Sequence, residues 1–387
     1  MYKRFLHKML ESLCGLATGF LDLLPGLMLV LFYSILSKNL WASMLIPPLL
    51  SFRGSVLGSF VGRLSTGLHL GTMKTTLRKN TKFFYSILTS MWYLSILGSL
   101  LIILVIYVIS LLFYHINIDI INILILFCST LFVSKLITLV FIMAVTDLTY
   151  RLGLDPDYIL YPITSSLADI IVTITFIIML YIGFLQKLTV ILGILTAVFY
   201  LSILFLKFLP IDIETFKRTM YESLLSLLLI VVVVSITGVV FSEITRRIEK
   251  YPQIYLIYPS LLTMVGDANS IIGSALTTKL HLGAIKVGWN ILKSASIIAP
   301  TVLAFEIVIG ICGLASLVYA PNPINMIFSL ISGNLAFIIV LAINFLVINL
   351  TFLFGFDPDH FVNPLISTLA DNITTISILI VIIAMGS

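Results

Sequence analysis

The sequence has too little charge for a water-soluble protein. Only 10% of its 387 residues are charged, whereas 60% are hydrophobic, and the mean hydropathy is +1.18. No polar segment is long enough for a separate soluble domain, and apolar runs that can cross a hydrocarbon layer of about 30 Å recur throughout. The chain is therefore predicted to be an all-α polytopic membrane protein.

Cysteine is also scarce. Cys14, Cys128 and Cys312 lie in apolar runs without the spacing of zinc ligands, so neither a disulfide framework nor a zinc site is expected. The first apolar run is long and is followed by no small-residue cleavage site, which predicts an uncleaved span rather than a signal peptide. The net charge of +5 is attributed to membrane topology, because no soluble basic module is present to bind nucleic acid.

Apolar runs separated by helix breakers predict eleven transmembrane spans. They lie at roughly 13–36, 41–66, 84–114, 121–149, 160–185, 188–209, 221–245, 255–278, 294–319, 324–354 and 363–385.

One motif occurs twice at identical spacing. The first copy reads Gly153-Leu154-Asp155-Pro156-Asp157, Pro162, Ser165, Leu167-Ala168-Asp169 and Thr173, and the second reads Gly355-Phe356-Asp357-Pro358-Asp359, Pro364, Ser367, Leu369-Ala370-Asp371 and Thr375. A second pair of matched segments, Pro47 to Gly71 and Pro259 to Gly283, aligns spans 1–5 with spans 7–11.

Span 6 has no counterpart, and it restores the orientation that five crossings would invert. We therefore expect two parallel five-helix repeats, related like the subunits of a fused homodimer, in residues 1–185 and 221–387. Residues 186–220 are predicted to form the linker helix and a cytosolic connection.

The distribution of lysine and arginine favours a cytoplasmic N-terminus and an external C-terminus, and we expect the plasma membrane as the location. Five bases fall on the outer side, namely Lys38, Lys187, Arg246, Arg247 and Lys250, and the last three lie together in the stretch from Glu243 to Lys250. Its interleaved glutamates predict local ion pairs there.

Asp169 and Asp371 are the main candidates for a cation path. An ionised carboxylate in hydrocarbon costs at least a few kcal/mol, so two matched acids are plausible only if they face water or a cation. Pro162 and Pro364 are predicted to lie in the first turn of their helices, with the acids two turns deeper. Hydroxyl residues at i−4 and i+4 extend each polar stripe, namely Ser165 and Thr173 in the first copy and Ser367 and Thr375 in the second.

Mg²⁺ suits such a pair, because it retains several waters and needs few direct protein ligands, whereas Ca²⁺ normally takes more. The alternative is that each acid is protonated or pairs with a buried base. Arg53 and Lys135 are the candidate bases.

Further oxygen-bearing residues are weaker candidates. Asp155, Asp157, Asp357 and Asp359 can concentrate cations at a pore mouth or serve as turn and helix-cap residues. In spans 2 and 8, Ser55 is matched by Asp267, which is followed by Asn269; close helix packing is the alternative for span 2. Asp147, Asn349 and Glu306 are equally compatible with secondary cation sites and with interhelical hydrogen bonds.

These motifs resemble the MgtE type of magnesium transporters and channels, more closely its tandem form, solute carrier family 41. In that family the aspartate of the Pro-x-Thr-Thr/Ser-x-x-Asp element lines the ion path and holds hydrated magnesium, which implies that role for Asp169 and Asp371 at the repeat interface. The family carries Gly-Asn where this sequence has Gly54-Ser55 and Gly266-Asp267. The cytosolic magnesium-sensing domains of bacterial members have no counterpart here, so gating within the membrane is expected.

The expected function is Mg²⁺ transport past paired aspartates, with Mg²⁺ as the transported ion and the lipid bilayer as the surroundings. The sequence leaves open a channel or a Na⁺- or H⁺-coupled carrier. Two rival functions are transport of an organic cation and catalysis by an intramembrane enzyme. An organic-cation carrier would be expected to have an aromatic cage near the acids, but no aromatic residue lies at i±4 from either acid. An intramembrane enzyme would require two acids in different surroundings, whereas Asp169 and Asp371 lie in matched copies of one motif.

Overall fold

The computed structural model describes residues 2–69, 71–114, 119–151, 156–184, 189–248, 254–281, 295–319, 323–353 and 358–385. Within these ranges the chain is α-helical apart from its connecting turns and loops and 3-10 residues such as those of Ala17–Phe20, and it contains no strand.

The α-helices are numbered in chain order. They are α1 (Tyr2–Leu16), α2 (Leu23–Leu31), α3 (Tyr33–Lys38), α4 (Leu40–Ser43), α5 (Ile46–His69), α6 (Lys82–Tyr114), α7 (Ile120–Arg151), α8 (Pro156–Phe184), α9 (Thr189–Leu206), α10 (Ile213–Arg247), α11 (Ile254–His281), α12 (Ala295–Tyr319), α13 (Pro323–Leu353) and α14 (Pro358–Ala384).

Ten segments of the described chain are long and apolar enough to cross a membrane, which confirms the polytopic all-α class. Each corresponds to one of the eleven predicted spans. The remaining prediction, 255–278, is the 28-residue helix α11, whose polar residues, including Asp267 and Asn269, reduce its hydropathy.

The helices that carry the matched aspartates start earlier than predicted. α8 begins at Pro156 and α14 at Pro358, where the missing N–H of proline is harmless in the first turn. The expectation that Pro162 and Pro364 occupy that turn is therefore wrong, because both lie in the second turn. Asp169 and Asp371 are each the fourteenth residue of their helix, near its middle.

Local signals at the ends of two other helices explain where they stop and start. After α5, Gly71 adopts a φ of 67°, and hydrogen bonds from the N–H groups of Gly71 and Thr72 to the carbonyls of Leu68 and Gly67 close the helix. Before α10, Asp212 accepts hydrogen bonds from the hydroxyl and N–H of Thr215. The hydroxyl contact is the main reason that the pKa of Asp212 lies below its usual value.

The chain forms two compact units that do not coincide with the sequence repeats. The central unit comprises Asn39–Val239, and the terminal unit comprises Met1–Lys38 together with Val240–Ser387. The first helices of the chain thus belong to the unit that contains α11–α14, whereas most of α10 belongs to the unit that contains α5–α8. The proposed repeat boundaries stay a prediction, because these units are defined by contacts and not by sequence matching.

One close contact recurs at matched positions in both units. In the terminal unit, a Cβ on Gly26 of α2 would lie only 1.9 Å from the carbonyl oxygen of Leu256 in α11. In the central unit, a Cβ on Gly238 of α10 would lie 2.2 Å from the carbonyl oxygen of Met44. Gly26 and Gly238 are 212 residues apart, as are Met44 and Leu256, which is also the offset between the matched residues Ser55 and Asp267.

The predicted linker helix α9 packs in the central unit, mainly against α7. An aromatic cluster forms this contact, in which the ring centroid of Phe199 lies 6.1 Å from that of Trp92 and 5.7 Å from that of Phe132. The indole N–H of Trp92 also donates to the hydroxyl of Ser202, 2.5 Å away. The remaining face of α9 is largely exposed, as suits contact with lipid.

α11 is the core of the terminal unit, where it contacts α1, α2, α12, α13 and α14. Its side chains Tyr255 and Tyr258 are fully buried. The hydroxyl of Tyr258 lies 3.0 Å from Oγ1 of Thr375, which forms a hydrogen bond between α11 and α14.

We predict that Gly26→Ala lowers the free energy of unfolding by about 1–3 kcal/mol, because the added methyl group overlaps the backbone of Leu256. The matched control is Gly193→Ala in α9, where no neighbouring atom lies within 4 Å of the new Cβ. That variant should gain about 0.5–1 kcal/mol. Thermal unfolding in detergent measures both; equal behaviour of the two variants would contradict the close contact.

We predict that Tyr258→Phe and Thr375→Val each reduce stability by about 1 kcal/mol and that their effects are not additive, since they remove the same hydrogen bond. A double-mutant cycle of unfolding free energies measures the coupling. Additivity within about 0.3 kcal/mol would show that the two hydroxyls do not interact.

Candidate functional site

In the central unit, the carboxylate of Asp169 forms an ion pair with the guanidinium of Arg53, which joins α8 to α5. Both side chains are largely removed from solvent, with 15% of Asp169 and 6% of Arg53 exposed. A buried base was the predicted alternative to a free carboxylate, and for Asp169 that alternative is what the structure contains. The pair compensates two charges that would each be costly within the membrane.

Arg53 has further donors near a second buried base. Its Nε and Nη1 atoms have no hydrogen-bond partner among the described residues. Arg53 and Lys135 line the same cavity of about 20 Å³, which is large enough for one water molecule. Nζ of Lys135 donates to the carbonyl of Met91 at 3.2 Å and to the hydroxyl of Ser95, and it lies 5.0 Å from the ring centroid of Trp92.

In the terminal unit, Asp371 lies where α14 crosses α11. The Cβ of Ala370 is 3.8 Å from the position that a Cβ of Gly266 would occupy. Thr375, one turn further along α14, donates to the backbone carbonyl of Asp371 at 2.7 Å and bonds to Tyr258. The side chain of Asp371 is half-buried.

Asp267 and Asp371 lie on the same side of this helix pair. The contacts Tyr258–Thr375 and Gly266–Ala370 run in opposite chain directions, so α11 and α14 are antiparallel. Successive residues of an α-helix are about 100° apart, and in an antiparallel pair the residues after the two contact positions turn toward the same side. Asp267 follows Gly266 and Asp371 follows Ala370, and both aspartates are half-buried.

Two asparagines form a buried amide pair in the terminal unit. Nδ2 of Asn344 in α13 donates to the backbone carbonyl of Asn269 at 2.7 Å, and Nδ2 of Asn269 donates to the carbonyl of Val265 at 2.9 Å. Both side chains are fully buried, and neither Oδ1 atom has a hydrogen-bond partner among the described residues. These amide oxygens are available to a water molecule or a cation.

The other predicted site residues differ in their surroundings. Ser55 is half-buried and donates to the carbonyl of Ser51 at 2.9 Å, whereas Thr173 is buried and its hydroxyl has no partner among the described residues. Ser165 and Ser367 are half-buried on α8 and α14.

The acidic turns can be placed only in part. Asp157 and Asp359 belong to the first turns of α8 and α14, as their helix-cap interpretation requires. Asp155 and Asp357 lie outside the described residues.

The secondary candidates are engaged in hydrogen bonds and ion pairs. Asp147 accepts from the hydroxyl of Thr75 at 2.9 Å and pairs with Arg151 at 2.8 Å. Glu306 accepts from Nδ2 of Asn334 at 3.2 Å, and Nδ2 of Asn349 donates to the carbonyl of Phe345 at 2.8 Å. Glu306 therefore forms an interhelical hydrogen bond, between α12 and α13, whereas Asp147 bonds to the loop after α5 and to its own helix.

The predicted local pairing at the end of α10 is confirmed for the described residues. Arg246 and Arg247 both pair with Glu243, at 3.4 and 2.8 Å. Glu249 and Lys250 lie outside the described residues.

Two buried polar residues were missed by the sequence analysis. Asp22, at the start of α2, is fully buried in the terminal unit, and Asn344 is the donor of the amide pair. An acid or an amide inside an apolar span is itself a signal of a functional or packing role, and both residues carry that signal.

Among the described residues no three histidine, cysteine, aspartate or glutamate side chains gather into a metal-binding group. The acids instead occur singly or in pairs beside amides and hydroxyls.

Comparison with known proteins identifies the family to which this chain belongs. No curated protein and no solved structure matches the chain significantly. The profile of the MgtE family, described as divalent cation transporter, matches residues 46–182 and 258–381, which together make up well over half of the chain. The two matched regions contain both candidate aspartates and repeat in tandem, as the internal motif does. The chain is therefore a tandem member of the MgtE family of divalent cation transporters, a family of integral membrane transporters and not of enzymes.

Proposed function

We propose that this protein transports Mg²⁺ across the membrane and that the ion passes a carboxylate at the middle of α8, of α14 or of both. The observation that carries the proposal is the position of Asp169 and Asp371, each the fourteenth residue of a matched membrane helix. Membership of a divalent cation transporter family supplies the class of substrate.

The surroundings of Asp371 support a weakly held, hydrated ion. Asp267 lies on the same side of the α11–α14 pair, so two carboxylates can balance the charge of one divalent cation. Mg²⁺ dehydrates reluctantly and is commonly bound by one or two carboxylates with water completing its shell. A site that binds loosely also allows the ion to leave, as transport requires.

The described part of the chain supplies the helices through which the proposed path would run, since ten of its segments are long and apolar enough to cross a membrane. The arrangement of the path between the two repeats remains a prediction from their matched sequences, as do the plasma membrane location and the cytoplasmic N-terminus.

The test is Mg²⁺ uptake into proteoliposomes that contain a magnesium-sensitive dye. We expect uptake by the wild-type protein and its loss in Asp169→Asn/Asp371→Asn, since this variant removes both mid-helix carboxylates. The matched control is Asp119→Asn, which changes an aspartate that caps the start of α7 outside the spans. Asp119→Asn should transport like the wild type.

Competing gradients of Ca²⁺, Mn²⁺ and Na⁺ complete the experiment. Dependence of Mg²⁺ uptake on a Na⁺ gradient would identify a coupled carrier, and independence from it would favour a channel. Absence of divalent cation flux in the wild type would contradict the proposed function and return attention to an organic cation as substrate. Normal flux in the double variant would refute the role of the carboxylates.

A further inference from the structure

The first copy of the repeat contains two buried bases at positions where the second copy is apolar. Positions in α5 and α11 are offset by 212 residues, and those in α7 and α13 by 202. Arg53 thus corresponds to Val265, and Lys135 corresponds to Phe337. Val265 and Phe337 are buried in their own unit, so helices of this repeat pack without a base at either position. The two bases of the first copy therefore call for a reason other than packing.

Arg53 and Lys135 line one cavity among α5, α6 and α7 in the central unit. Its volume of about 20 Å³ suits a single particle of the size of a water molecule. Only 6% of Arg53 and 9% of Lys135 is exposed, and none of the nine described residues that line the cavity is acidic. More than half of these lining residues are apolar, so charges in the cavity are weakly screened.

Arg53 and Thr138 bring hydrogen-bond donors without partners to this cavity. The guanidinium donates from Nη2 to Asp169, whereas its Nε and Nη1 atoms have no partner among the described residues. The hydroxyl of Thr138, a side chain that is 3% exposed, likewise has no partner there. Buried donors are rarely left unsatisfied in proteins, so these three atoms indicate a ligand that accepts hydrogen bonds.

The acceptors around Lys135 hold its ammonium group in place without balancing its charge. Nζ donates to the carbonyl of Met91 at 3.2 Å and to the hydroxyl of Ser95. That hydroxyl itself donates to the carbonyl of Met91 at 2.8 Å, so Ser95 serves Lys135 only as an acceptor. An ammonium group has three N–H bonds, and the third is left for a further acceptor.

The cluster around the cavity has a positive charge in excess when its groups are ionised. Arg53 and Lys135 are both cationic, and the ion pair with Asp169 supplies a single negative charge. An uncompensated charge inside a membrane span is costly, and a bound anion removes that cost. The cavity therefore favours a ligand that carries one negative charge and accepts several hydrogen bonds.

The size of the cavity selects among such ligands. Phosphate, sulfate and carboxylates contain several heavy atoms and need more space than a water molecule does. A halide ion is a single atom with one negative charge, and it accepts hydrogen bonds from any direction. Chloride is thus the anion that matches both the volume and the donors.

We propose that the central unit binds a chloride ion in this cavity, where Arg53, Lys135 and Thr138 hold it. The ion balances the charge of Lys135 and leaves the ion pair between Arg53 and Asp169 intact. The site requires no divalent cation, so the proposal is independent of the proposed transport function.

Bromide is the probe that locates the ion, because it resembles chloride chemically and scatters X-rays anomalously. Crystals of the full-length protein grown in NaBr should show an anomalous peak in the cavity that Arg53 and Lys135 line. A water molecule in the cavity and no bromide would refute the proposal, and the charge of Lys135 would then have to be removed by loss of its proton.

Thermal unfolding in detergent measures binding in solution. The melting temperature of the wild type should be higher in NaCl or NaBr than in sodium gluconate of equal ionic strength. A ligand that binds only the folded state stabilises it, and gluconate is too large for the cavity. The difference should grow with halide concentration, and equal melting temperatures in the three salts would contradict the proposal.

The decisive variant is Lys135→Met, which removes the excess charge and keeps a side chain of similar length. It should lose the bromide peak and weaken halide binding by at least about tenfold, because a charged donor is lost. Thr138→Val removes a neutral donor and should weaken halide binding by about fivefold. The matched control is Lys207→Met, since Lys207 is exposed just after α9 in the same unit.

Lys207→Met should respond to halide like the wild type. A folded Lys135→Met variant that keeps the full halide response would overturn the inference, because the stabilisation would then be a general effect of salt. Lys135→Gln provides an uncharged polar replacement if the methionine variant does not fold, and the same loss of halide response is expected of it.

Discussion

Compensation of charge within the bilayer is the constraint on which this structure depends. An ionised group that leaves water must find a counter-ion, a set of hydrogen bonds or a bound ion, because the hydrocarbon supplies none. The central unit meets this requirement internally, since Arg53 pairs with Asp169 and Lys135 is held by a carbonyl, a hydroxyl and an indole ring. The terminal unit places Asp267 and Asp371 on one side of a close helix pair whose helices offer almost no bases.

The two units have the same close helix contact at matched positions. Gly26 and Gly238 allow equivalent close approaches of helices in the two units, and any side chain there would meet a backbone carbonyl. The first helices of the chain belong to the unit that contains α11–α14, whereas most of α10 belongs to the unit that contains α5–α8. The positions around the matched aspartates, in contrast, carry different residues in the two copies of the motif. Fusion of two repeats into one chain makes such divergence possible, because a homodimer would change both copies at once.

Much of the fold follows from composition and repetition. Apolar length predicted the spans, and an identical spacing of Asp, Pro, Ser and Thr identified the matched helices. The helix boundaries were harder to predict from the sequence. Helices α8 and α14 start at the Asp-Pro-Asp turn, because Pro156 and Pro358 are themselves good first-turn residues. The partner of Asp169 could be named only as an alternative, because α5 and α8 are more than a hundred residues apart and their rotation about each other is a tertiary property. The role of the buried Asn344 amide likewise could not be predicted from the sequence, because it depends on the contact with Asn269 in another helix.

The most direct test of the account is to locate the ion. Crystals of the protein grown with Mn²⁺ in place of Mg²⁺ would show the bound metal by anomalous scattering. The proposed function predicts a Mn²⁺ peak beside the mid-helix carboxylate of α8, of α14 or of both. A Mn²⁺ peak remote from both aspartates, or no bound Mn²⁺, would contradict it.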